Sequence, residues 1–249
     1  MSESAARNTT AAMIVIGNEI LSGKVVDSNS PFLARQLRSL GVSLERVLVI
    51  PDDVETIAAA VADFAARFDY VFTSGGVGPT HDDVTIEGVA RAFGVGVVVH
   101  PELRRIVERA VGQDPPAAYL KMAEVPEGAE LLDAGETNFP TVLFRNVYIL
   151  PGIPEIFQAK VKALRERFRG RPYHLRQVFV AASETAIAEY LNATLGKFPD
   201  LLLGSYPKLS HPEYSVRLTL ESKDEEYLDR ALEDLISRMP DHMIVKVER

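Results

Sequence analysis

Thr73-Ser-Gly-Gly-Val-Gly-Pro-Thr-His-Asp-Asp-Val-Thr85 lies directly after a short apolar run, Tyr70-Val-Phe-Thr73, and directly before a helical pattern that runs from about Val84 to Phe93 and stops at Gly94. Strand, glycine-rich turn and helix in that order is the repeating piece of a parallel α/β sheet, which binds ligands at the carboxyl ends of its strands. Outward from it the same alternation continues. Before it stand a strand at Met13-Ile-Val-Ile-Gly17, a helix from about Ser30 to Leu40 ended by Gly41, a strand at Leu44–Ile50 and a helix from about Asp53 to Arg67. After it, Val97-Val-Val99 reads as a further strand and Pro101 to Val111 as a helix. This order predicts right-handed crossovers and a mostly parallel sheet covered on both faces.

From Gly112 to Asn138 the pattern is irregular, with prolines at 115, 116 and 126 and a short helix around Ala117 to Ala123, and reads as a long excursion over the sheet edge. Val142-Leu-Phe144 and Val147-Tyr-Ile-Leu150, joined by Arg145-Asn146, form a hairpin that delivers the chain to Pro151-Gly-Ile-Pro154 and a helix through Phe168. Beyond Arg171 come strand (about 173–180), helix (184–195), two strands (201–206 and 214–221), helix (224–239) and strand (243–247). That βαββαβ order predicts a ferredoxin-like α+β domain with helices on one face of its sheet. The expected division is a flexible tail over 1–10, an α/β domain over 11–170 and the smaller domain over 171–249.

Across the 249 residues, 47% are apolar and 25% charged, as in ordinary globular proteins, and no apolar run approaches the ~20 residues that span a bilayer. The polar start lacks a signal-peptide core, so no membrane partner and no classical secretion are expected. Without cysteine there is no disulfide, thiolate metal site, iron–sulfur cluster or cysteine nucleophile, and a cytoplasmic location is the expectation. The formal charge of −8 and the absence of a Lys/Arg block argue against nucleic acid as a partner, but not against a small anion held in a local nest.

The glycine stretch is where such a nest belongs. Gly75, Gly76 and Gly78 remove Cβ atoms so that backbone can approach a ligand and present N–H groups, and the helix that follows adds partial positive charge at its start. The stretch is neither GxGxxG nor a Walker loop, and a Gly-Pro turn capped by Thr or Asp is the plainer alternative. Ser74, Pro79, Thr80 and Thr85 flank the nest as ligand candidates. Two adjacent carboxylates, Asp82 and Asp83, next to an anion nest fit Mg²⁺ or another divalent cation shared with phosphate oxygens, or else cap the helix. His81 is a candidate base or a plain hydrogen-bonding side chain. Two further loops leave strand ends: Gly17 to Asn29, carrying Glu19, Lys24, Asp27 and Asn29, and Pro151-Gly152. Asn29 and Ser30 are alternatively the cap of a helix that starts at Pro31.

These motifs, with Ile16-Gly-Asn-Glu-Ile-Leu-Ser-Gly-Lys-Val-Val-Asp-Ser-Asn29 and Leu150-Pro-Gly-Ile-Pro154 on either side of the glycine stretch, resemble the MoaB/Mog-type molybdopterin-binding domain family, and within it the CinA branch. The N-terminal molybdopterin-binding-like domain of FAD synthase is more similar still, through Phe139-Pro140, Arg145-Asn-Val-Tyr148, Leu203-Gly-Ser-Tyr-Pro207 and Tyr214-Ser-Val-Arg-Leu-Thr-Leu220. The resemblance runs from about Ala12 to the end of the chain. It implies a three-layer α/β/α first domain whose crevice is lined by Gly75 to Asp83, Asp27 and Pro151-Gly152. It also implies either a molybdopterin ligand, bound without cleavage, or hydrolysis of a nucleotide diphosphate such as ADP-ribose or FAD, and a homo-oligomer. Lys121 matches a basic position of these relatives loosely and joins the ligand-side candidates. Where CinA commonly carries Gly-Thr-Ala-Pro-Gly, this chain has Gly135-Glu-Thr-Asn-Phe-Pro140, and no FAD-forming or deamidase domain stands in these residues, so FAD synthesis is not implied.

Overall fold

Strand β1 (Thr10–Ile16) sends Ala12, Ile14 and Ile16 into one apolar cluster and Ala11, Met13 and Val15 into another, all of them buried. A strand with both faces buried sits inside a sandwich of helices. The computed structural model describes residues 8–132, 135, 139–208 and 211–249, and the chain divides into two units, Met1–Gly170 and Arg171–Arg249. Of the expected tail, residues 1–7 lie outside the described residues. Thr10 is already strand, its amide and hydroxyl both donating to Asp69 Oδ2 at 2.8 and 3.0 Å.

In the first unit β1 is followed by α1 (Asn18–Leu21), α2 (Asn29–Ser39), β2 (Ser43–Ile50), α3 (Val54–Arg67), β3 (Tyr70–Ser74), α4 (Thr85–Ala92), β4 (Val97–Val99), α5 (Pro101–Val111) and α6 (Ala117–Lys121). Then come β5 (Glu124–Pro126), β6 (Glu130–Leu132), β7 (Thr141–Phe144), β8 (Val147–Leu150) and α7 (Pro154–Leu164), with a 3₁₀ turn at Arg165–Phe168 completing the last helix. The main sheet has the order β2-β1-β3-β8-β7-β6, parallel from β2 through β8 and antiparallel over the last two pairs. Helices α3, α4 and α5 cover one face through Ile57, Val61, Val89 and Leu103; α2 and α7 cover the other through Leu33, Leu37, Phe157 and Val161. This is the three-layer α/β/α arrangement.

Two expectations are corrected. Val97–Val99 is not a strand of the main sheet: β4 pairs antiparallel with β5 as a separate ribbon, its valines 38–41% exposed. A run of β-branched residues sets strand conformation without setting which face is buried, and three residues are too few to show a burial period. The excursion also holds two strands that proline and polar residues disguised, β5 and β6, the second lengthening the main sheet. The hairpin β7–β8 forms as read; Arg145 takes a positive φ of 54°, and Asn146 Nδ2 donates to the carbonyls of Ala65 and Phe68 at the end of α3.

Since β2 lies on one side of β1 and β3 on the other, the winding reverses at β1. The carboxyl ends of β1, β3 and β8 then fall side by side, with Ser74 facing Val15 on one flank and Leu150 on the other. Those three ends carry the three motifs.

The second unit is β9 (His174–Val180), α8 (Glu184–Lys197), β10 (Leu202–Pro207), β11 (Val216–Ser222), α9 (Glu225–Arg238) and β12 (Ile244–Glu248), in the sheet order β10-β11-β9-β12 with every neighbour antiparallel. That is the ferredoxin-like βαββαβ arrangement. Val178, Val180, Val216, Leu218 and Leu220 face Ile187, Leu191, Leu228 and Leu232, so both helices lie on one face. No helix among the described residues is long and apolar enough to cross a membrane.

Candidate functional site

The chain leaves β3 at Ser74 and turns at two left-handed residues, Gly75 (φ 107°) and Gly76 (φ 65°). Neither position has room for a side chain: a Cβ on Gly75 would lie 2.1 Å from the Ile16 carbonyl oxygen, and one on Gly76 2.3 Å from Thr85 Oγ1. Thr85, buried at the start of α4, closes the turn by donating its hydroxyl to Gly75 O (2.8 Å) and its amide to Gly76 O (2.9 Å). Gly75 N is spent on Leu150 O at 3.1 Å. The next three amides, of Gly76, Val77 and Gly78, donate to no acceptor among the described residues. Successive unpaired N–H groups in a tight turn before a helix form an anion-binding concavity.

Asp83 is held within the loop. Its Oδ2 accepts from the Thr80 amide at 2.7 Å and the Thr80 hydroxyl at 2.5 Å, and a Cβ on Gly78 would meet it at 2.7 Å. Asp82 stays outward, its side chain 58% exposed. Its carboxyl is held below the usual carboxylate range, first by the nearby Thr80 hydroxyl, then by its own backbone, with His81 and Lys121 adding their charge. His81 is 97% exposed, with Nδ1 3.9 Å from Asp82 Oδ1. The Lys121 ammonium, at the end of α6, donates to the Thr80 carbonyl, tying the excursion to the loop.

A cavity of about 630 Å³ opens beside this loop, within the 300–1,000 Å³ span of small-molecule sites. Of the candidates, Gly78, His81, Asp83, Lys121 and Pro151 line it, whereas Asp82, Gly75, Gly76, Thr80 and Thr85 are not among its lining residues; apolar walls come from Val77, Val84, Ile86, Phe139, Val142 and Ile149. Ser74, Asp27, Asn29 and Gly152 form a second group behind the loop. Asn29 Nδ2 donates to Ser74 Oγ (3.0 Å) and to Gly152 O (2.9 Å), joining the three strand ends, while its buried Oδ1 has no partner. Gly152 packs on Gly75, where its Cβ would fall 3.3 Å from Gly75 Cα. Asp27 Oδ1 accepts from the amides of Asn29 and Ser30 at 3.0 and 3.1 Å, so Asp27 caps α2. The expectation that Asn29 and Ser30 cap a helix from Pro31 is thereby corrected: the helix starts at Asn29, and the Asn29 amide group is aimed at the loops. Gly17 keeps its place at the end of β1, bonded to Ile50 O, with the Glu19 carboxylate folded over it.

For a divalent cation the chain offers Asp82, exposed and ionised, and the Oδ1 atom of Asp83. Among the described residues no group of three or more His, Asp or Glu side chains surrounds a common point. Such a donor set fits a hard cation that takes its remaining ligands from substrate phosphate and water. Three titratable side chains in the cavity wall were missing from the sequence reading: Glu87, Glu124 and Lys160. Lys160 carried a signal, since Phe157, Lys160, Val161 and Leu164 fall on one helical stripe and all four are buried. Its Nζ donates to Phe139 O at 2.5 Å, Pro140 O at 3.1 Å and Thr141 Oγ1 at 3.4 Å, and burial lowers its pKa to about 8.

Residues 12–170 match the family model described as a probable molybdopterin binding domain, and residues 172–248 match that of the FAD synthase middle domain. The chain is 34% identical over 220 residues to a protein of Archaeoglobus fulgidus, covering 88% of this chain and 93% of that one. It is 31% identical over 265 residues to a probable FAD synthase of Caenorhabditis elegans, covering 94% of this chain and spanning about half, 51%, of that relative. The solved structure of CinA from Thermoplasma acidophilum, described as of unknown function, aligns at 30% identity and a TM-score of 0.60, covering 65% of this chain and 99% of that one.

Proposed function

The chain belongs to the probable molybdopterin-binding domain family, and from that premise we propose that its first unit hydrolyses the pyrophosphate bond of a nucleotide diphosphate of the FAD or ADP-ribose kind. The observation that carries this reading is the run of unpaired amides at Gly76, Val77 and Gly78, the last two residues lining a nucleotide-sized cavity together with Asp83, with an ionised, exposed Asp82 next in the chain but outside that lining. The likeness to a probable FAD synthase supports a dinucleotide as ligand class.

In this reading the three amides hold phosphate oxygens without any reorganisation at the moment of reaction, which is where preorganised dipoles contribute most. Lys121, parked on the Thr80 carbonyl, moves its ammonium to the phosphate and adds charge that is mobile. Asp83 keeps the loop in register through Thr80, and Asp82 with Asp83 Oδ1 would hold a divalent cation. Such a cation supplies charge neutralisation on the phosphate and a water of lowered pKa. The apolar walls take the heterocycle and exclude bulk water. Self-association belongs to the same reading and is checked by light scattering at two concentrations.

The test is release of mononucleotide from FAD and from ADP-ribose by purified protein with Mg²⁺, with Co²⁺ and with chelator. Metal-dependent release that falls about a hundredfold or more in Asp82→Ala at unchanged melting temperature is the expected result. Release that survives the substitution, or none with any nucleotide, overturns it. A second reading, capture of a pterin phosphate without bond cleavage, is favoured by Asp83, whose Oδ2 is spent on Thr80. Tight binding of a phosphorylated pterin without turnover is the outcome that selects it.

A further inference from the structure

Lys160 is 5% exposed, yet it lines the cavity together with Phe139 and Pro140. Its partners are two main-chain carbonyls and one hydroxyl. No carboxylate of the described residues lies within salt-bridge distance of it. Taking an ammonium out of water costs free energy that dipoles offset only partly, and an uncompensated charge beside a cavity gains from an anion placed there. All three of its protons are already donated, so what it offers a ligand is charge and not a hydrogen bond. The glycine loop, which lines the same cavity through Val77 and Gly78, offers the reverse, amide donors carrying no formal charge.

We propose that the Lys160 ammonium is the buried counter-charge for a phosphorylated ligand in this cavity, acting on it through the wall formed by Phe139 and Pro140. The inference rests on the reading that an anionic nucleotide occupies the cavity, and not on cleavage of that nucleotide. It makes Lys160 a positioning residue: its hydrogen bonds hold the wall and its charge holds the ligand.

Linkage gives the signature. Burial alone lowers the lysine pKa to about 8, so an anion that favours the charged form must raise it, and binding above neutrality takes up a proton. The other charged groups lining the cavity are His81, Asp83, Glu87, Lys121 and Glu124. Asp133 and Glu136, near in sequence to the wall, lie outside the described residues. Lys121, the other lysine of the lining, is separated from Lys160 by substitution.

The experiment is calorimetric titration of the full chain with ADP, in chelator so that nothing is cleaved, at pH 8.5 in buffers of different ionisation enthalpy. If binding raises the lysine pKa by one unit, wild type takes up about half a proton. Lys160→Gln, which keeps an amide able to donate to the wall carbonyls, loses the uptake, whereas Lys121→Met, which binds ADP more weakly because it lacks the ammonium at the phosphate, retains the uptake per ADP bound. At pH 7 the Gln variant binds ADP about five- to tenfold more weakly, and the gap closes as pH rises through about 8 to 9.5, where wild-type lysine is itself neutral. Wild-type binding without proton uptake overturns the inference even if the variant does not fold, as does uptake that persists in Lys160→Gln. Absence of ADP binding to wild type at every pH would remove the site reading together with it.

Discussion

The carboxyl edge of the first unit's sheet and the helix pair of the second unit use polar groups in opposite ways. Between α8 and α9, Asp234 is 8% exposed and fully engaged: Thr194 donates to it at 3.2 Å, Lys197 at 2.7 Å and Arg238 at 2.6 and 3.1 Å. Nearby, Arg176 is shared by Asp229 and Glu225 at 2.9 Å each. At the glycine edge, by contrast, three amides, the Asn29 Oδ1 atom and the charge of Lys160 are left without a matching partner. Groups that are satisfied internally hold a fold together; buried groups that are not cost stability, and a ligand that completes them recovers it. The difference is the one expected if the helix pair serves stability and the glycine edge, as proposed, serves binding.

The largest way to break that comparison is Gly75→Ala. The new methyl meets the Ile16 carbonyl at 2.1 Å on a backbone with φ 107°, so the turn has to leave its place rather than absorb the contact. The expected cost is about 2–3 kcal/mol of stability, read as a lowered denaturant midpoint, together with loss of nucleotide binding. A variant that melts like wild type and still binds would show that the loop is not the rigid nest its geometry describes.

Much of this was legible beforehand for a definable reason. Strands β1, β3 and β8 are apolar runs ended by Gly or Pro, and a parallel sheet puts such ends on one edge, so the convergence of Gly17, Gly75 and Pro151 follows from pattern alone. Glycine positions announce themselves by lacking a side chain where the backbone needs a left-handed turn. What stayed hidden depends on long-range packing. Val97–Val99 has the composition of a core strand but forms an exposed ribbon, because its partner, Glu124–Pro126, comes 25 residues or more later and carries no strand signal. Asp27, Asp82 and Asp83 look alike in sequence. Only the fold makes the first a cap for α2, the third a brace for Thr80 and leaves the second open to solvent. Lys160 was visible as a lysine on an apolar stripe, a conflict between residue type and position of the kind that accompanies functional sites.

In the second unit the intermediate effect is Asp234→Asn. Losing the charge removes the charge-assisted part of its bonds to Lys197 and Arg238, at an expected cost of about 2 kcal/mol in the unfolding of residues 171–249. The pH dependence has a definite sign. Arg238 before all else holds the Asp234 carboxyl well below the carboxylate range, so its contribution is complete above the unfolded value of 3.8 and is lost as pH falls below that value. Acid titration of wild type therefore shows a stability loss below about pH 4 that the Asn variant lacks. Nucleotide binding in the first unit is expected to be unchanged, and a variant that also loses binding would break the division of labour between the two regions.

The smallest expected effect is that of His81→Ala, and it sharpens the comparison most finely. A residue next to two aspartates in a glycine-rich loop invites assignment as a base, but proton transfer needs a positioned group, and none of the described residues holds this one by a hydrogen bond. Its side chain is 97% exposed and its nearest carboxylate contact, Asp82, is 3.9 Å away, too long for a hydrogen bond. What remains is the charge that a protonated ring lends to Asp82, a minor influence behind Thr80 and the backbone. At such exposure this is screened by salt. Turnover of the alanine variant is therefore expected to stay within about threefold of wild type at neutral pH, with any difference fading between low and high ionic strength. A hundredfold loss would mean that His81 folds inward over a bound ligand, and the loop would then be a closing element instead of a preset nest.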